Sequence, residues 1–186
     1  MNKVNIEFFD FFGATVPGIP VIVISCFLIS NTHFSFSEIE AFLKGSSLSI
    51  MTGVLLISYC IGFCLHYPAY ELFQILMKKW GIKRTLGLPI SIGKREPDLV
   101  LIREKNPENF KLISKFLALR QMAYTMFFSL LAFFVLLIIL SIFHRNYNRD
   151  FYSALIASLI FGFLFLRRAV AFHQRIQEMI NECSKK

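Results

Sequence analysis

Four stretches of this chain carry no Lys, Arg, Asp or Glu: Phe11 to Ser37, Leu48 to Tyr70, Gln121 to Phe143 and Phe151 to Leu166. In a water-soluble domain, apolar residues are interrupted at helix or strand period, and such blocks do not arise. In lipid every backbone amide must be satisfied within its own segment, which selects α-helices. Composition agrees: 55% of the 186 residues are apolar and Phe alone supplies 22, as in a membrane protein. The expected fold class is all-α, a polytopic membrane protein with four transmembrane helices, three of them extended into a cytoplasmic helical region. The spans fall at about 11–30, 48–66, 121–143 and 151–166. They divide the chain into an N-terminal membrane hairpin (1–66), a basic cytoplasmic segment (67–120), a second membrane hairpin (121–166) and a cytoplasmic C-terminal helix (167–186).

Pro17, Gly18 and Pro20 interrupt the first span. An interior Pro removes a backbone hydrogen bond and crowds the preceding turn, so the helix either starts near Pro17 or bends there. Starting at Pro17 would leave it about 21 Å long, short of the roughly 30 Å hydrocarbon core. Phe11 to Ala14 are therefore expected to enter the bilayer in a kinked span. No signal-peptide cleavage site is evident after it. Ser37 and Glu40 read as a capping box that opens a short surface helix, Glu38 to Lys44, ended by Gly45. In the second span Gly53, Ser58 and Gly62 permit close helix approach, and Pro68 predicts a kink near the interface. The helical pattern runs on through Trp80 to a stop at Gly81.

Residues 82–105 are the least helical part, with 88–92 and 98–103 as candidate short strands around a turn at 93–97. Asn106, Pro107 and Glu108 make a cap, first position and acidic first turn for a helix running without a breaker to Phe143. The fourth span, at about 24 Å, is short, and Arg149, Arg167 and Arg168 can snorkel to extend it. Val170, Ile176, Met179, Ile180 and Cys183 continue a helical pattern through the tail.

Orientation follows from the 20 basic residues. With four spans, the amino end, the central segment and the tail share one side. They carry one, eleven and five Lys or Arg, against three in the two remaining loops. The positive-inside rule then places both termini in the cytoplasm. Three helices project beyond the bilayer on that side, which predicts a cytoplasmic bundle or stalk.

No catalytic signature is present, and the chain is expected to be non-enzymatic, without cofactor or metal. No charged residue lies within Gly13 to Ser30, Leu48 to Leu65, Ala123 to Phe143 or Phe151 to Leu166, which argues against a proton-coupled transporter. An oligomeric pore lined by Ser and Thr remains an alternative. Cys60 and Cys64 share a helix face beside His66, but a structural zinc site needs at least one further ligand, and space-filling thiols explain them better. Arg168 and His173 resemble the short Arg-to-His motif of HEPN ribonucleases. The polar residue that commonly follows the Arg in that family is Ala169 here. A membrane-tethered ribonuclease is thus a further alternative. Lys78, Lys79, Lys83 and Arg84, with Lys94, Arg95, Arg167 and Arg168, are the candidate contacts for a cytosolic protein partner or lipid headgroups; direct nucleic-acid binding is not expected. Pro17, Gly18, Pro20, Gly53, Gly62 and Pro68 are the candidate packing or kink positions.

Phe12-Gly-Ala-Thr-Val-Pro-Gly18 opens the first span, Ser58-Tyr-Cys-Ile-Gly62 lies in the second, and Leu119-Arg120 leads into the third around a basic middle. In this architecture the chain resembles the small four-span membrane subunits of bacterial anti-phage defence systems, the Kiwa membrane component in particular. Small membrane proteins that accompany CRISPR effectors look similar at this level. The resemblance implies a homo-oligomer that registers envelope disturbance during infection and signals to a cytosolic partner acting on nucleic acid. The expectation is therefore an inner-membrane scaffold or sensor.

Overall fold

The computed structural model describes residues 4–30, 32, 34–79, 107–144 and 148–184. Among them are five α-helices and no strand: α1 Val4–Ser30, α2 Phe36–Gly45, α3 Leu48–Lys79, α4 Pro107–His144 and α5 Arg149–Ser184. All but α2 are long and apolar enough to cross a membrane. The proposed strands at 88–92 and 98–103 lie outside the described residues.

Helix lengths exceed a bilayer. At 1.5 Å per residue α3, α4 and α5 measure about 48, 57 and 54 Å, against a hydrocarbon core of about 30 Å. Nothing breaks these helices where their charges begin. Pro107 stands first in α4, where its missing N–H costs nothing, and α5 runs unbroken past Arg167 and Arg168. Pro68 is exposed inside a continuous α3. Pro17 and Pro20 both lie inside α1, so that helix starts well before Pro17.

α4 is the hub. It makes its most extensive contact with α5 and also touches α1 and α3, while α1 and α3 form the other close pair. Three apolar clusters run along the bundle. The first, away from the overrunning helix ends, joins Ile24 and Phe27 of α1 to Phe133 and Leu137 of α4 and Phe151 of α5, with Phe34 set among them. The second joins Phe73 and Met77 of α3 to Tyr124 of α4 and Val170 of α5. The third lies beyond it, where Ile113 of α4 packs against Ile176, Met179 and Ile180 of α5. That seam makes the two overrunning ends a packed pair rather than separate helices. The outward faces are apolar: Phe63, Phe143 and Phe163 are 66%, 77% and 65% exposed. Such surfaces are a liability in water and ordinary against lipid.

Two features differ from the sequence expectation. α2 begins at Phe36, with Ser35 in the capping position and no side-chain cap bond from it. Glu40 does not reach back to close a capping box; it pairs instead with Lys44 one turn on. The first turn is held from outside α2, by the Asp150 carboxylate accepting from the Phe36 amide at 2.9 Å. Asn148 also donates to the Phe34 carbonyl at 2.8 Å. The second difference is Gly53. A Cβ there would meet nothing within 4 Å, so it is not a packing position among the described residues. Gly18 and Gly62 lie where α1 and α3 touch backbone to backbone: a Cβ at Gly18 would fall 1.8 Å from the Ser58 carbonyl oxygen, and one at Gly62 1.7 Å from that of Ala14.

Candidate functional site

Hydrogen-bonding side chains gather inside the bundle where α3, α4 and α5 leave the apolar spans. Helical spacing assembles the group. His66, Tyr70 and Phe73 recur at i, i+4 and i+7 on α3, Arg120 and Tyr124 at i and i+4 on α4, and His173 and Gln177 at i and i+4 on α5, so each set shares one helix face. Tyr124 is the centre. Its ring stacks on His66 at 5.4 Å on one side and on Phe73 at 5.5 Å on another, and Tyr70 lies 6.1 Å away. The Tyr124 hydroxyl is 3.2 Å from His66 Nε2, and His66 Nδ1 is 3.4 Å from Thr125 Oγ1.

Phe73 continues the chain of contacts to α5, meeting His173 edge-on at 6.3 Å. His173 is 3% exposed, and its Nδ1 lies 3.0 Å from an Arg120 guanidinium nitrogen. A guanidinium has no acceptor, so Arg120 donates and His173 Nδ1 accepts. The imidazole is thereby fixed as the neutral tautomer with its proton on Nε2. Charge-assisted bonds of this kind are stronger than neutral ones, and this one ties α4 to α5 at the base of the overrunning pair.

The sequence-derived candidates divide. Arg167 and Arg168 are exposed on α5. Five residues along a helix turn a side chain by about 140°, so exposed Arg168 and buried His173 face different ways and form no pair. The side chains of Lys78 and Lys79, and all of Lys83, Arg84, Lys94 and Arg95, lie outside the described residues. Pro17 is fully buried. Pro17 and Pro20 deprive the carbonyls of Gly13 and Val16 of their helical donors, and one residue after Val16 Ser129 of α4 donates to the Pro17 carbonyl. Cys60 and Cys64 are exposed while His66 turns to Tyr124; among the described residues no three His, Cys, Asp or Glu side chains come together.

Some hydroxyls in the spans face inward, while Ser49, Thr52 and Ser153 are exposed. Thr125 and Ser158 are buried and donate to carbonyls of their own helices. The Arg120–His173 contact was missed in the sequence because positive-inside charge already explained Arg120. The signal available was its i, i+4 spacing to Tyr124 on the face that meets α5. No protein-family model, curated protein or solved structure matches the chain, and the site rests on its own geometry.

Proposed function

We propose that this protein is a non-enzymatic inner-membrane scaffold or sensor subunit, in the defence role its architecture suggests. It oligomerises through its lipid-facing spans and docks a cytosolic protein at its basic end. The observation that supports this reading is that α3, α4 and α5 are each longer than a bilayer is thick, while 17 of the 20 basic residues belong to the three sequence segments that a four-span topology puts on one side. A helix pair held by Ile113, Ile176 and Ile180 and tied by Arg120 and His173 is a rigid lever. It can report a change among the spans to whatever is docked beyond. Thr125 and Ser158, which are buried and bonded to carbonyls of their own helices, favour this reading over a pore lined by those hydroxyls.

Both termini then face the cytoplasm. Reversing Lys78, Lys79, Lys83 and Arg84 to Glu tests the docking role. Purification in mild detergent with native mass determination is expected to give a discrete homo-oligomer carrying a cytosolic protein, and the quadruple variant is expected to give the same oligomer without it. Undiminished co-purification would remove this cluster from docking. A ring with no partner that conducts ions in liposomes would establish the pore instead.

A further inference from the structure

Arg120 turns toward α5, but the next residue, Gln121, faces a cavity of about 330 Å³ between α1, α3 and α4. The cavity exists because α1 presents no side chain at Gly13, where a Cβ would meet nothing within 4 Å, while Gly62 and Ala14 hold the helices together just beside it. Its walls are the hydrogen-bonding side chains of Tyr59, His66, Gln121 and Thr125, and none of its lining residues is charged. Among the described residues the exposed Gln121 carboxamide makes no hydrogen bond; its backbone carbonyl accepts from Thr125 at 2.9 Å.

Depth identifies the occupant. Asp10 lies one turn before Gly13, Arg120 immediately before Gln121, and Glu71 five residues after His66. The cavity therefore opens where charges stop on all three helices and runs inward to Tyr59. That is the level at which phospholipid esters meet the first methylenes. At its edge Phe63 is 66% exposed, an apolar rail leading into the bilayer. The volume is near the lower limit of ligand pockets, which run from about 300 to 1,000 Å³. It accommodates a glycerol-diester segment and leaves the acyl chains outside.

We propose that this cavity seats the glycerol-ester region of one phospholipid from the leaflet at the basic end of the bundle. Gln121 donates to an ester carbonyl and the acyl chains lie along Phe63. Uncharged walls give no preference for an anionic headgroup, so phosphatidylethanolamine and phosphatidylglycerol bind alike. This sets the cavity apart from any lipid contact made by the basic cluster.

The test reconstitutes the full chain in nanodiscs of equal parts phosphatidylethanolamine and phosphatidylglycerol and counts retained lipid by native mass spectrometry during stepwise delipidation. The wild type is expected to hold one phospholipid of either kind per chain after the rest are stripped. Gly13→Leu, which fills the cavity without touching the helix crossing, is expected to retain at least tenfold less. Gln121→Leu, an exposed position, covers the case in which Gly13→Leu fails to fold, and is expected to lose several-fold. Gly53→Leu, in open space elsewhere on α3, is expected to behave as wild type. Unchanged retention in Gly13→Leu and Gln121→Leu would overturn the proposal. So would a wild type that keeps no lipid, holds detergent only, or keeps phosphatidylglycerol alone.

Discussion

Replacing Gly62 with Ala probes the seam that holds α1 to the bundle. The new Cβ would lie 1.7 Å from the carbonyl oxygen of Ala14 and 2.7 Å from its carbon. Both are backbone atoms of the facing helix, so no rotamer change relieves the overlap. Restoring an ordinary contact of about 3.5 Å requires the helices to part by roughly 1.8 Å at this point. A radial gap of about 0.5–1 Å already forfeits a quarter to a half of the dispersion energy of the atoms around it. Between helices in lipid no hydrophobic driving force compensates, because the acyl chains are as apolar as the side chains they replace. The expected cost is about 2–3 kcal/mol, the upper part of the range for overpacking a core. Gly53→Ala is the matched control on the same helix. Its Cβ meets nothing within 4 Å, and Ala gains up to about 1 kcal/mol in helix propensity. Reversible unfolding by added SDS in mixed micelles, followed by far-ultraviolet circular dichroism, reads both. Gly62→Ala should unfold at lower SDS than wild type, and Gly53→Ala at the same or higher. Two variants unfolding together would refute the close crossing.

Arg120→Met and His173→Leu each remove one partner of a charge-assisted hydrogen bond, at an expected cost of about 1.5–3 kcal/mol. The double variant should cost little more than either single change, so fully additive losses in that cycle would contradict the contact. His173→Gln keeps an acceptor and should recover part of the loss. Asp150→Ala removes the outside cap of α2, costing about 0.5–1 kcal/mol and speeding amide exchange at Phe36; unchanged exchange there would count against the cap.

Features set by runs of like residues were legible in the sequence. Charge-free blocks gave the four spans, and the absence of breakers after Lys111 and past Arg168 gave helices that overrun them. Features set by register were less so. Gly18, Gly53 and Gly62 are equivalent as small residues, and only the crossing of α1 with α3 separates the first and last from Gly53. Ser37 and Glu40 have capping-box spacing, yet Lys44 captures Glu40 and Asp150, more than a hundred residues away, takes the first turn. Arg120 meets His173 across 53 residues, a distance over which periodicity names a helix face and not the partner facing it. The cavity at Gly13 follows from what three helices leave unfilled, which no single stretch of sequence records.

The side of the membrane on which the overrunning helices lie decides whether a cytosolic partner can dock there. Cysteines placed singly at Ser47, before α3, and at Arg175, on the overrunning part of α5, report this in a chain whose Cys26, Cys60, Cys64 and Cys183 are changed to Ser. A membrane-impermeant maleimide applied to spheroplasts should label position 47 and reach position 175 only after permeabilisation. Labelling at 175 with protection at 47 would put the basic end outside the cell and contradict the docking of a cytosolic partner there.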